Sequence, residues 1–343
     1  MKARLNYKNE SGLILILALW TLTLLTVFTV TIAMGVRQRI TLVRRLSDRE
    51  SLHWIATSGV HKAWAAYWTF KKKGTSVLTG PLKEYLYDNP AFFKNMKVAN
   101  GICTVSYPDI SQGSDLQRKY GMQDEERKLN VNYASQDELT RLIEEVVGLG
   151  NNQAKSLANA IVDWREMGQG ESAGLSGSDT GGSQADSHRE KKGNFELPEE
   201  LLLVKGITPA VYDRLQDYVT VYGNGQVNIN TAPRAVLLAL GLNEEIVAKI
   251  VFFRRGVDGR EDTADDPIIS QPQDVYLSVY AGGALTGAEA DLLMAVFSQG
   301  VLGTASEHLQ IQAQGYLASK QESRSVTCVF EKNSGKIIYW REK

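Results

Sequence analysis

Between Asp258 and Asp266 the chain reads DGREDTADD, five acidic groups in nine residues with Gly259 to allow a tight turn. Oxygen at this density suits a hard cation such as Ca2+, which takes six to eight oxygens from flexible acidic loops. The spacing is not that of an EF-hand. A solvated acidic turn and a cation site, with Asp258, Asp262, Asp265 and Asp266 as leading ligands, therefore stand as equal readings. Gly170-Glu171-Ser172-Ala173-Gly174 spells a nucleophile elbow, G-x-S-x-G, but no strand precedes it, and His188 and His308 lack the context of a triad partner. His53 and His61 fall on a helical pattern as packing or surface residues. With no HExxH, CxxC, Walker or dinucleotide pattern, the chain is not expected to be an enzyme.

Cys103 and Cys328 are the only thiols, in the strand-like runs GICTVSYPD and SRSVTCVFE. They read either as a disulfide, permitted in an oxidising compartment, or as two small buried hydrophobes, and their Cα separation decides which. The 343 residues are 43% apolar and 22% charged with a net charge of −1. That is an ordinary globular balance, without the strongly basic character of a nucleic-acid-binding domain.

The elements that must position these groups begin with Leu13–Val36, an uncharged stretch of 24 residues. As a helix it is about 36 Å long, enough for a bilayer core of about 30 Å. A signal peptide has a shorter apolar region and a small-residue cleavage site, so a retained span is expected. Lys2, Arg4 and Lys8 precede it; Arg37, Arg39, Arg44 and Arg45 follow and blunt the charge asymmetry that sets topology. Helical periodicity continues through Leu42, Leu46, Leu52, Ile55, Val60, Ala63, Trp64 and Tyr67 to Lys71-Lys72-Lys73-Gly74. Either one helix of about 60 residues or a second helix after a break near Gly35 satisfies that pattern.

Period-two alternation marks strands around Ile102–Tyr107, Leu129–Asn132, His308–Tyr316, Arg324–Phe330 and Ile337–Trp340, with Asn333-Ser334-Gly335 as a turn. They bracket a helical middle that contains an internal repeat. Asn130-Val131-Asn132-Tyr133-Ala134-Ser135 matches Asn228-Ile229-Asn230-Thr231-Ala232-Pro233. Each is followed by a helix, a Gly-Leu turn (Gly148-Leu149, Gly241-Leu242) and a second helix ending at Arg165 or Arg254. Ser135 and Glu138 form a capping box, and Thr231 is the expected cap in the second copy, with Pro233 in the first turn. A third helix pair is expected over Leu197–Tyr222. The Gly/Ser-rich tract Met167–Gly193 reads as a flexible loop. Glycine turns between helices also admit a helix-hairpin-helix DNA module, but Glu144, Glu145, Glu244 and Glu245 would repel phosphate there.

Taken together, these parts resemble the large minor pseudopilins of type II secretion systems, the general secretion pathway protein K family. The resemblance covers nearly the whole chain. It rests on the basic leader ending in Gly12, the segments LNVNYAS and VNINTAPRAVL, and most specifically DWRE at Asp163–Glu166 and ELPEELLLVKGIT at Glu196–Thr208. It implies an α+β fold: a long N-terminal helix on an antiparallel sheet, with a large helical domain inserted between strands. The implied division is a leader (1–12), the long helix (13–73, membrane-spanning over 13–36), sheet (74–134), helical insert (135–298) and sheet again (299–343).

The resemblance further implies cleavage by prepilin peptidase between Gly12 and Leu13 and N-methylation of Leu13. Leu17 stands where most pilin-like subunits carry glutamate, as in protein K; a subunit with no neighbour above it gains nothing from a carboxylate in lipid. Implied partners are minor pseudopilins I and J and the major pseudopilin, at the tip of a periplasmic pseudopilus built from the inner membrane for export of folded proteins. Calcium in the helical domain is implied too, favouring the cation reading of Asp258–Asp266. Rival readings are a type IV minor pilin, against which the size of the insert argues, and a membrane-anchored DNA-binding protein.

Overall fold

The computed structural model describes residues 11–72, 86–110, 117–170, 193–263, 265–276, 285–317 and 322–343. Most of the leader, and Ser172 and His188 in the Gly/Ser-rich tract, lie outside the described residues.

Helix α1 runs unbroken over Ser11–Lys72, 62 residues, with no interruption at Gly35. Its apolar side chains divide by position. Leu13 through Leu46 are exposed, whereas Leu52, Ile55, Val60, Ala63 and Tyr67 are buried. Leu42 and Leu46, expected on the packed face, stay exposed because α1 meets the sheet only from Leu52 onward.

That sheet is antiparallel: β1 (Met96–Val98), β2 (Gly101–Val105), β3 (Gln123–Asp124), β4 (His308–Leu317), β5 (Ser323–Glu331) and β6 (Ile337–Glu342). The order is β1-β2-β4-β5-β6, and β3 pairs with the first half of β4, beyond the end of β2. Alternation is strict along β4, whose inward residues Leu309, Ile311 and Ala313 join Cys103, Val105, Cys328 and Phe330 under α1. The approach is close. A Cβ on Gly315 would lie 2.9 Å from the Ala56 backbone nitrogen and 3.1 Å from the Leu52 carbonyl oxygen.

Between β3 and β4 the chain leaves the sheet and builds a second core of its own. Two units of one design make it up. The first opens at Leu129-Asn130 and closes when Val219-Thr220 lies parallel to it; the second opens at Val227-Asn228 and closes on Leu302-Gly303. The first holds α2 (Gln136–Val147), α3 (Asn151–Gly170), a 3-10 turn and α4 (Pro209–Leu215). The second holds α5 (Arg234–Ala239), α6 (Glu244–Arg254) and α7 (Gly287–Ser298). The segment expected as a third helix pair is thus the second half of the first unit, and the stretch from Ile269 to Gly303 is its counterpart.

The repeated residues hold equivalent backbone. Asn130 and Asn228 accept the amides two residues on, at 2.9 and 3.0 Å, forming Asx turns. Asn132 clamps both backbone polar groups of Phe195 (2.7 and 2.9 Å), and Asn230 does the same to Ile269 (2.9 and 2.8 Å). Arg165 donates to the carbonyls of Val131 and Ala134, and Arg254 to those of Ile229 and Ala232. Each arginine therefore ties its helix back to the opening turn, Arg254 from the helix end and Arg165 from five residues before it, where the helix runs on to Gly170.

The Ser135–Glu138 capping box is present, and Gly148 closes α2 in the left-handed region at φ 74°. In the second unit the cap differs from expectation: Pro233 occupies the N-cap position, and the Thr231 hydroxyl instead reaches Asp124.

The tight α1–β4 contact yields an expected outcome. Gly315→Ala drives a methyl into α1 backbone, which cannot swing aside as a side chain would, and lowers stability by about 1–3 kcal/mol; denaturant unfolding of the detergent-solubilised chain measures it.

Candidate functional site: anchor helix, charged junction and acidic loop

Helix α1 is the one helix among the described residues long and apolar enough to cross a membrane. Its threonine side chains within the span are internally satisfied. Thr21, Thr23, Thr26, Thr29 and Thr31 each donate a hydroxyl to a carbonyl three or four residues back, at 2.7–2.9 Å, as hydrocarbon requires. Gly12 has open space around its α-carbon, and Leu13 and Leu17 are exposed.

At the junction of the two cores lies a strip that sequence reading passed over. Asp124, Glu125, Glu126, Arg127 and Lys128 are five consecutive charged residues, each at most 5% exposed. Asp124 Oδ2 accepts from Asn228, Thr231 and Ser306, joining β3 to the second unit. Glu125 accepts from Lys128 at 3.0 Å and from the Thr220 hydroxyl of the first unit at 3.0 Å. Glu126 accepts the backbone amides of Glu307 and His308 and pairs with His308 Nδ1 at 2.7 Å. Burial opposes charge on His308, but Glu126, with Glu307 and Glu331 beyond, outweighs it and raises the imidazole pKa. Nearby, Lys332 donates to the Ser306 carbonyl, and Tyr67 and Lys71 of α1 donate to the Lys332 carbonyl. Burial lowers the Lys332 pKa. The one visible signal was an unbroken charged run between two strand-like segments, which ordinarily means a solvated turn.

The acidic loop brings together three of its four expected aspartates. Asp258, Asp265 and Asp266 place carboxylate oxygens within 4.8 Å of one another. Asp265 accepts the amides of Val257 and Asp258, and Thr263 donates to both Asp265 and Asp266. These hydrogen bonds, Thr263 foremost, lower the Asp265 pKa. Gly256 permits the turn: φ is 61°, and a Cβ there would strike Asp265 Oδ2 at 2.7 Å. Asp262 does not join them. Its carboxylate turns inward to Lys119 at 2.5 Å, beside Glu261, which also meets Arg254 at 3.3 Å. Burial would depress the Lys119 pKa, but Asp262, Glu261 and Asp109 raise it. The loop is thereby fastened to the sheet-side segment that carries Lys119.

The disulfide reading is corrected. Cys103 lies opposite Gly315 and Cys328 opposite Ile311, on either side of β4. Two strand spacings and four residues along the strand separate them by about 16 Å, against a Cα separation below about 7 Å for a bridge. Both thiols are free and buried, and burial pushes each pKa up to about 12. They are core residues.

Comparison with known proteins adds to this geometry. The family profile described as type II secretion system (T2SS), protein K matches residues 114–224, which contain the first unit with Asn130, Asn132 and Arg165. Over those residues the chain is similar to protein K of type II secretion. Its fold is similar to a solved chain in the crystal structure of the GspK-GspI-GspJ complex from the enterotoxigenic Escherichia coli type 2 secretion system. The TM-score is 0.52 at 12% identity, covering 88% of this chain and 99% of that one. At that identity the likeness speaks for the fold, and the antiparallel sheet under a long N-terminal helix with further helices is that α+β fold. No curated protein matches the chain significantly.

The His308–Glu126 pair sets a pH dependence. With a folded pKa above the unfolded value, its stabilisation is fully present below about pH 6.5 and is lost as pH rises through the folded pKa. His308→Gln should therefore lose more stability relative to wild type at pH 5.5 than at pH 8.5 in paired denaturant titrations.

Proposed function

We propose that this chain is a minor pseudopilin of the protein K kind, the tip subunit of a type II secretion pseudopilus, which it initiates and caps for export of folded proteins. The observation that carries the reading is the protein K match on a chain whose long helix holds Leu17 at the fifth position after Gly12. Prepilin peptidase cuts between Gly12 and Leu13, and Leu13 is then N-methylated. The span rests in the inner membrane with the body in the periplasm. It later leaves the bilayer and packs against the helices of other subunits. The size of the two-unit insert supports the capping role, since such bulk above the helix blocks addition of a further subunit.

Minor pseudopilins I and J are the expected neighbours, as in the similar complex from Escherichia coli, with the major pseudopilin beneath. The test is isolation of the full chain from membranes with I- and J-type pseudopilins of the same cell. A complex of the three, with secretion lost on deletion and restored by the wild-type gene, is expected. Secretion undiminished by deletion would refute the role.

The acidic loop is proposed as a calcium site. Asp258, Asp265 and Asp266 would hold the ion, and loop carbonyls and water would complete the six to eight oxygens it requires. Their convergence around a glycine-dependent turn fits a hard cation; Asp262, committed to Lys119, is left out of the ligand set. Bound calcium would offset the repulsion among three carboxylates and stiffen the loop. At a hundredfold excess over the dissociation constant it should add about 2.7 kcal/mol to stability, and Asp265→Asn should abolish most of that gain in calcium-titrated thermal unfolding.

A further inference from the structure

Between the apolar span and the first buried residue, α1 carries a segment that the fold leaves uncovered. Arg37, Arg39, Arg44, Arg45 and Arg49 are exposed, and interleaved with them are Ile40, Leu42, Val43 and Leu46, at 47–63% exposure. Packing on the sheet begins at Leu52. Some fifteen residues of rigid helix thus sit beyond the hydrocarbon-length stretch and short of the protein core, mixing cations with apolar side chains.

We infer that this segment is a collar that binds the anionic headgroups of the phospholipid surface through which α1 passes. Four observations converge on that occupant. The first is depth: Leu13–Val36 spans about 36 Å, so Arg37 and Arg39 leave the hydrocarbon within the headgroup layer, which adds roughly 5–7 Å on each side. Tilt and flexible stems bring the guanidinium groups of Arg44 and Arg45 back toward the same layer.

The second is angular distribution. At about 100° per residue the five arginines spread over roughly 220° of the helix circumference rather than along one stripe. A neighbouring protein helix covers one face, whereas a lipid surface surrounds the helix on all sides.

The third is residue type. Between Leu13 and His61 every cation is arginine, and lysine first reappears at Lys62; arginine's planar fork grips phosphate oxygens in pairs. The fourth is charge. Five arginines stand against Asp48 and Glu50 in the segment, while the chain as a whole carries −1, so positive charge is concentrated where the chain meets lipid.

The collar rests on α1 crossing the bilayer and not on the tip assignment or on which leaflet it faces. Its consequence is a second, salt-sensitive hold on the membrane, to be broken when the helix is drawn out.

The experiment uses the full chain in phosphatidylcholine vesicles with 20 mol% phosphatidylglycerol as a stated composition, probed with spin-labelled versions of each lipid. Phosphatidylglycerol should associate at least about fivefold more strongly than phosphatidylcholine, the effect of one arginine near an anionic surface. The preference should fall toward unity in 0.5 M NaCl, a condition with a Debye length of roughly 4 Å, and in an R37Q/R39Q/R44Q/R45Q variant. Replacing Lys155 and Lys205 on the body with Gln should leave it unchanged. Equal association of the two lipids with an inserted chain overturns the collar, as does a preference that survives the arginine replacements; the first is the result expected if a partner subunit occupies the segment instead. A chain that alkaline carbonate strips from the vesicles overturns the span and the collar together, while the complex with I- and J-type subunits is read independently.

Discussion

The two hydrophobic cores of this chain do not merge; they meet across buried charge. Asp124, Glu125 and Glu126 each send a carboxylate to a different piece of structure: the second helical unit, the first helical unit, and the start of β4. Such groups add little net stability compared with apolar packing, because desolvating them offsets most of what they gain. What they impose is geometry. Any other orientation of the insert on the sheet would leave three carboxylates and their donors buried without partners, at several kcal/mol each. The insert is thereby held in one attitude on the sheet, a gain in orientation more than in stability.

The insert achieves its own rigidity by repetition. In each unit a second asparagine clamps a distant backbone segment, and an arginine at the far end of a helix pair reaches back to the opening turn. Side chain to backbone bonds of this type satisfy turns that no ladder could satisfy. They explain why so much of the repeat lies in polar residues rather than in an apolar stripe. The acidic loop belongs to the second unit and has no equivalent among the described residues of the first. Its inward members, Glu261 and Asp262, hold Arg254 and Lys119, so the loop shares a residue with the repeat's own closing arginine. Ordering of the loop and alignment of the insert are therefore mechanically linked.

Helix α1 answers to two solvents. Its first half is uniformly apolar with threonine hydroxyls folded onto its own backbone, fit for lipid or for packing among other subunits' helices. Its last third is an ordinary core helix, brought so near β4 that glycine is required at Gly315. The uncovered arginine segment between them is where one environment gives way to the other.

Much of this was legible in the chain because it depends on neighbours a few residues apart. Span length follows from 24 uncharged residues, strand faces from strict alternation, and the Ser135 cap from spacing to Glu138. The repeated asparagines and arginines were visible as pattern, though not as clamps. What only the tertiary structure decided depends on register and on contacts between residues roughly a hundred or more apart. Four residues of offset across β4 keep Cys103 and Cys328 unbonded. The pull of Lys119 removes Asp262 from the aspartate cluster, and Asp124 claims Thr231 from its expected cap. The charged run at Asp124–Lys128 is buried because two cores close over it, and no local periodicity records that, since burial there is a property of what folds on top rather than of the residues themselves.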